Sequence, residues 1–321
     1  MKLLARLLIF ILAVCAGLTA AAKTVLRVGY FPNITHAQGV LGASGTREGK
    51  GWFEERLGPD VEVQWFSFNA GPSAMEAVFA GSIDLAYVGP NPALNAYIRS
   101  KGAEIRVLAG AAEGGAALVV RSEAGIAEDK DFRGKKLATP QLGNTQDVAA
   151  RAYFKRRGFR LTPTGGEVLI VPTANPEQLT LFRTKQLDAA WTVEPWVSRL
   201  VLDGGGRIYV EQSDAVTTVL VARAKFLRER PELAEKFRTA HVALTDWINS
   251  HGAAAKEQVR LGLGAEMRRE VPPPLMDAAW PRLKFTSELK KAQLSELVKD
   301  AQSVGYLRDA IPLDRLVSGK P

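Results

Sequence analysis

The sequence predicts an α/β fold built as two similar lobes, and three observations point that way. Apolar, β-branched runs alternate with helical stretches through short Gly/Pro/Asn turns, the pattern of parallel strands covered by helices. One unit occurs twice. Ile83-Asp84-Leu85-Ala86-Tyr87 and Leu187-Asp188-Ala189-Ala190-Trp191 are both apolar-Asp-x-Ala-aromatic, both follow a helix, and both precede a Pro-containing turn. The length, 321 residues, suits two domains. A composition of 46% hydrophobic and 24% charged residues excludes disorder, collagen and long coiled coils.

Residues 1–22 read as a secretory signal peptide. Lys2 and Arg6 give a positive start, residues 7–18 are apolar or small, and Ala20-Ala21-Ala22 offers a cleavage site. The apolar run is shorter than the ~20 residues a bilayer span needs. Leu12-Ala13-Val14-Cys15 resembles a lipoprotein cleavage box, but Val14 stands where such a box has a small residue, so Cys15 reads as a filler of the apolar run. Cleavage removes two of the eight net positive charges and the only cysteine. A soluble, thiol-free chain is then expected in an oxidising envelope compartment.

The elements follow in order. Residues 25–29 and 61–68 read as strands. Ser73 is placed to cap a helix over 74–80. Residues 83–88 form an apolar strand, broken by Gly89-Pro90-Asn91-Pro92, which starts a helix running to Arg99; 105–112 is again a strand. The order then repeats. Strands at 116–121 and 136–139 precede the turn 143–147 and a helix over 148–157. A strand at 167–171 leads into a helix over 175–185, with Asn175 as cap and Pro176 in its first turn. A strand at 187–192, Glu194-Pro195-Trp196, a helix to Leu202, and strands at 207–210 and 216–222 complete the block. Beyond Phe226 the chain reads as mostly helical, at 231–251, near 253–261 and at 287–304, with Pro272-Pro273-Pro274 separating the last two.

No nucleophile elbow, phosphate loop, zincin motif or EF-hand loop is present. His36, His241 and His251 are scattered without metal-ligand spacing. No metal, cofactor or enzymatic activity is therefore expected. The +6 left after cleavage could mean nucleic acid, an anionic membrane surface or an anionic ligand, and export argues against nucleic acid. Arg151, Lys155, Arg156, Arg157 and Arg160 read as a solvated helix face. The chemistry is expected in the turns. In open parallel sheets the ligand sits beyond the carboxyl ends of the strands, where helix N-termini present free N–H groups. Gly71-Pro72-Ser73-Ala74 can offer the Ser73 hydroxyl and the Ala74 amide. Gly143-Asn144-Thr145 can offer the Thr145 hydroxyl and nearby amides. Facing each other across a cleft, the two would clamp an anion.

Several ordered motifs carry a resemblance. They are Leu26-Arg27-Val28-Gly29-Tyr30-Phe31, Gly71-Pro72-Ser73-Ala74-Met75-Glu76-Ala77, Gly81-Ser82-Ile83-Asp84-Leu85-Ala86 and Gly89-Pro90-Asn91-Pro92-Ala93. Gly134-Lys135-Lys136-Leu137-Ala138-Thr139-Pro140, Gly143-Asn144-Thr145 and Trp191-Thr192-Val193-Glu194-Pro195 continue the set. Together they resemble periplasmic substrate-binding proteins of ABC importers, of the nitrate/alkanesulfonate/taurine-binding family.

The resemblance implies a type II periplasmic binding protein with two α/β lobes, a hinge and an interlobe ligand cleft. Lobe one would hold 23–112 plus 216–321 and lobe two 113–215, with hinges near 112–116 and 214–218. It implies a monomer that hands a small organic anion, an alkanesulfonate or taurine, to a permease in the inner membrane. Ser73, Ala74, Gly143, Asn144 and Thr145 would hold the anionic head, and Tyr30, Asn91 and Trp191 would line the cleft. Glu194 would serve a ligand that also carries a cation, as an aminosulfonate does. Asn33, His36 and Glu113 follow in the second rank. Nitrate, another small anion and a pyrimidine-like ligand stay open, as does an enzyme resembling thiamine-pyrimidine synthases.

Overall fold

A computed structural model describes residues 23–162, 165–308 and 312–317. The signal-peptide reading of residues 1–22, Cys15 included, lies outside the described residues. Among them, no helix is long and apolar enough to cross a membrane.

The strands are β1 (Thr24–Tyr30), β2 (Val61–Ser67), β3 (Leu85–Val88), β4 (Ile105–Gly114), β5 (Ala116–Arg121), β6 (Lys136–Thr139), β7 (Leu161–Thr162), β8 (Gly165–Gly166), β9 (Leu169–Pro172), β10 (Ala189–Val193), β11 (Gly206–Gln212), β12 (Val216–Arg223) and β13 (Leu283–Phe285). One sheet has the order β13-β4-β12-β3-β1-β2, a second the order β11-β5-β10-β6-β9, and β7 pairs with β8. The inner order is a repeat, with β4-β12-β3-β1-β2 matched by β11-β5-β10-β6-β9.

β1 runs parallel to β2 and β3, and β6 runs parallel to β9 and β10. The alternation of strands and helices implied parallel strands throughout, but β12 is antiparallel to β3 and β4, and β5 to β10 and β11. β4 leads to β5, and β11 to β12, with no helix between. A strand entering a sheet without a crossover helix is free to run against its neighbours. The first crossing is at Gly114 and Gly115, with φ of 73° and 68°. A Cβ at Gly114 would also meet the Arg282 carbonyl oxygen at 2.4 Å, so only glycine fits that position.

The repeated sequence unit performs the same task in both lobes. Asp84 Oδ2 accepts the Arg27 N–H at 3.1 Å and Oδ1 accepts Arg223 Nη2 at 3.0 Å. Asp188 Oδ2 accepts the Lys136 N–H at 2.9 Å and Oδ1 accepts Arg121 Nη2 at 3.3 Å. Each aspartate thus ties three neighbouring strands, β1-β3-β12 in one sheet and β6-β10-β5 in the other.

Helices cover both faces of both sheets. Leu26, Val28, Phe53 and Phe237 pack on one face of the first sheet, and Val78, Ile83, Val88 and Tyr97 on the other. Phe132, Phe154 and Trp191 fill one side of the second, and Val119, Phe182 and Val197 the other. Helices Ala37–Arg47, Trp52–Leu57 and Pro273–Ala279 were not expected from the sequence. The first carries glycines because it is packed tightly. A Cβ at Gly42 would lie 2.3 Å from Trp65 Cζ2, and one at Gly39 would lie 2.7 Å from Tyr30 Cβ.

The basic stretch is not simply a solvated face. Arg151 is buried with Nε 3.2 Å from Asp147 Oδ2, Lys155 donates to the Ser303 carbonyl, and Arg156 pairs with Asp300. Helix Lys291–Ser303 and Tyr306, which donates to Asp147 Oδ2 at 2.6 Å, thereby tie the C-terminal region to the second lobe.

Candidate functional site

The carboxyl ends of the parallel strands of the two sheets face one another. Past β1 come Phe31, Asn33, Thr35 and His36; past β2, Asn69 to Gly71; past β3, Gly89 and Pro92. The second lobe supplies Pro140 and Asn144 to Gln146 past β6, Asn175 past β9, and Val193 at the end of β10. With Thr217 they enclose a deep cavity of about 20 Å³, room for about one water-sized group. Asn33, Asn69 and Asn175 also belong to a wider mouth of about 630 Å³, a volume typical of small-ligand sites.

Four helix starts meet at the deep cavity, those of Gly71–Phe79, Pro90–Arg99, Thr145–Arg156 and Asn175–Arg183. The first amides of a helix have no intrahelical acceptor and carry a partial positive charge. Gly71 is required where it stands, because a Cβ there would lie 2.2 Å from Pro92 Cγ. Asn144 caps its helix, with Oδ1 accepting the Asp147 N–H at 2.8 Å. The Asp147 carboxylate accepts from the Gly143 N–H at 2.9 Å, Thr139 Oγ1 at 3.0 Å and Arg151, so the Gly143 amide is already engaged.

The lobes touch around this cavity. The Asn91 N–H reaches Thr145 Oγ1 at 3.4 Å, Trp196 Nε1–H donates to Asn33 Oδ1 at 3.0 Å, and the Ile34 N–H donates to the Glu194 carbonyl at 3.0 Å. His36 is 2% exposed, its ring lies 4.3 Å from that of Phe31 and tilted 33° to it, and among the described residues its Nδ1 has no partner. Burial lowers its pKa to about 3, so it presents a neutral ring.

Of the anticipated site residues, Asn33, His36, Asn144 and Thr145 line the deep cavity. Asn91 stands behind it, its amide on Thr145 and its Nδ2 on the Leu297 carbonyl at 3.5 Å. The other side chains point elsewhere. Tyr30 packs in the first core, 5.8 Å from Trp65, and burial pushes its hydroxyl well above the ordinary range. Ser73 is not a cap, because the helix begins two residues earlier, at Gly71. Its hydroxyl donates to the Ala70 carbonyl at 2.8 Å, and the Ala74 N–H donates to that same carbonyl at 3.4 Å. Trp191 packs 5.4 Å from Tyr153 and donates Nε1–H to Gln212 Oε1 at 2.9 Å.

Glu194 is fully buried and turned onto the first turn of the helix that follows it, Trp196–Leu202. It accepts the Ser198 N–H at 3.0 Å and hydroxyl at 2.9 Å, with Arg282 Nε 3.4 Å away. Desolvation outweighs those partners and pushes its pKa up to about 7. Glu113 is held by Lys284 at 3.1 Å and Gln293 at 2.8 Å. Among the described residues, no aspartate or glutamate lines either cavity. Among the described residues, no group of His, Cys, Asp and Glu could hold a metal ion.

Sequence reasoning did not single out Asn69, Gln146, Asn175 or Thr217, nor Arg183, Arg199 and Arg269 in the mouth. Asn175 carried a signal: Asn175-Pro176 after β9 is the positional counterpart of Gly71-Pro72 after β2. The three arginines come from separate helices and turns and carried none.

Known proteins share this architecture, that of the periplasmic binding protein fold. The putative aliphatic sulfonates-binding protein of Bacillus subtilis is 24% identical over 209 residues, covering 63% of this chain and 60% of that protein. The taurine-binding periplasmic protein of Escherichia coli is 27% identical over 179 residues, covering 54% of each. The chain thus matches little more than half the length of these relatives. The alkanesulfonate-binding protein from Xanthomonas axonopodis pv. citri, solved bound to MOPS, superposes with a TM-score of 0.69 at 19% identity, covering 88% of this chain and 93% of that one. The description NMT1-like family matches residues 19–261, and the chain belongs to that family.

Proposed function

We propose that this is an exported solute-binding protein that captures a small sulfonate-type organic anion, an alkanesulfonate or taurine, between its lobes and delivers it to the permease of an ABC importer. The observation that carries the reading is the convergence of four helix starts and neutral polar groups on one cavity that, among the described residues, no carboxylate lines. Such a site favours an anion. The head lies where the deep cavity opens into the mouth, beside Asn175, with one oxygen reaching in toward Asn144, Thr145 and the Gly71 turn, and the organic part lies in the mouth. The similarity to sulfonate- and taurine-binding proteins supports the ligand class. The protein acts as a periplasmic monomer and turns nothing over.

The two lobes are residues 23–112 with 216–321, and 113–215. Gly114-Gly115 and residues 213–215 serve as the hinge, and closure brings Asn91 against Thr145. Each charge-assisted hydrogen bond contributes ~1.5–3 kcal/mol, against an association cost of ~4–15 kcal/mol. Four such bonds alone barely offset that cost, so burial of the organic part is needed for micromolar affinity.

A thermal-shift screen tests the reading with alkanesulfonates, aromatic sulfonates, taurine, nitrate, sulfate, carboxylates and pyrimidines. A ligand at ~100 times its Kd adds ~2.7 kcal/mol to stability, and a rise with sulfonates is expected. A rise only with nitrate, or only with a pyrimidine, overturns the sulfonate assignment.

A further inference from the structure

The mouth of the cleft carries more positive charge than a single anionic head requires. Arg183, Arg199 and Arg269 all line it, and among the described residues no acidic side chain does. Arg199 is 4% exposed, and its Nε and Nη2 are buried without a hydrogen-bond partner. Its guanidinium lies 5.3 Å from the Trp196 ring and, among the described residues, pairs with no carboxylate. The arginine nearby, Arg269, adds repulsion that outweighs the pull of Asp203. A buried, unpaired cation is costly unless something supplies the opposite charge, and the groups around Arg199 do not. Leu179, Pro176, Trp196 and Met267 provide the apolar wall. The deep cavity and the mouth share Asn33, Asn69 and Asn175, so one molecule can occupy both.

The geometry points to a bifunctional ligand: a sulfonate head at the junction of the two cavities, beside Asn33, Asn69 and Asn175 with one oxygen in the deep cavity, a short alkyl or phenyl spacer, and a second anionic group, carboxylate or sulfonate, held in the mouth by Arg199 with Arg183 and Arg269. This rests on the sulfonate-binding reading above and narrows its substrate class. It also sets an order among ligands. A ligand whose second group is an ammonium meets three arginines and no carboxylate, so it binds more weakly than its anionic counterpart.

The test is calorimetry on matched pairs, 4-sulfobenzoate against benzenesulfonate and 3-sulfopropionate against propanesulfonate and homotaurine. The dianions are expected to bind at least 10-fold tighter than the monoanions, about 1.4 kcal/mol, and homotaurine weakest. Arg199→Gln should abolish that preference and leave benzenesulfonate affinity within about twofold. Should Arg199→Gln fail to fold, the double variant Arg183→Gln with Arg269→Gln, both exposed sites, should reduce the same preference and its salt dependence. Equal affinity for dianions and monoanions overturns the assignment while the sulfonate reading stands. Equal loss of both ligands in Arg199→Gln also overturns it. If no sulfonate of any kind binds, the reading beneath fails and the mouth assignment falls with it.

Discussion

Gly89→Ala should separate ligand affinity from stability. Gly89 has φ −62° and ψ 147°, a backbone any residue adopts without strain. Within its own lobe an added Cβ would meet nothing nearer than Pro92 Cδ at 3.8 Å. Across the cleft it would lie 2.4 Å from Thr145 Oγ1, about 1 Å inside ordinary contact. The methyl is therefore harmless to the separate lobes and opposes only their approach. Overpacking of this kind costs ~1–3 kcal/mol. If that cost falls on the closed state alone, the dissociation constant rises by ~5- to 150-fold. Calorimetry with the best sulfonate measures the affinity, and ligand-free thermal unfolding should stay within about 1 °C of the parent. Thr145→Ala removes the opposing oxygen, so adding Gly89→Ala to it should cost little further affinity, a non-additive cycle. Gly71→Ala is the contrasting case. Its clash, 2.2 Å from Pro92 Cγ, lies within one lobe, so it should lower stability. Unchanged affinity in Gly89→Ala would refute closure through the Asn91–Thr145 contact.

Two further outcomes concern buried carboxylates. Glu194 has a folded pKa of about 7 against an ordinary 4.5, so the folded state holds its proton more tightly. The associated stability is full below pH 4.5 and is lost as pH rises through 7, ~3 kcal/mol at most. Glu194→Gln should erase that loss, so its stability relative to the parent should grow between pH 4.5 and 8 in denaturant titrations; parallel pH profiles would refute it. Asp84→Ala should destabilise by ~3 kcal/mol and Asp188→Ala by less, because the Asp84 side chain is 7% exposed and that of Asp188 24%. Chemical denaturation measures both, and the reverse order would contradict the strand-clasp role.

The strand–helix alternation and the Asp-x-Ala-aromatic echo were legible in the sequence because both are local. A strand's period of two and a helix's start signals are written in neighbouring residues. Helix Ala37–Arg47 escaped notice because it is buried along most of its length, so polar residues do not mark an outer face. The site was legible at its turns and not at its aromatics, for a geometric reason. A strand covered by helices on both faces buries every side chain, so alternation cannot say which residue reaches a cleft. Tyr30 and Trp191 still sit in ladder pairs, opposite Ser67 and Leu118. The cavity begins only where pairing ends, at Phe31 after β1 and at Val193 on the last pair of β10.

Three carboxylates lie close to this cleft, and each is claimed by donors outside the cavity. Asp147 is held by Gly143, Thr139 and Arg151, Glu194 by Ser198 and Arg282, and Glu113 by Lys284 and Gln293. Two of the three contact the start of a helix, where the backbone favours a negative charge. What remains to set the field of the cleft is the set of open helix starts and the arginines of the mouth. The preference for anions therefore depends as much on where the acids have been turned as on which donors remain. Returning one acid to the cavity wall, for instance by Gln146→Glu, should weaken every anionic ligand, and dianions most.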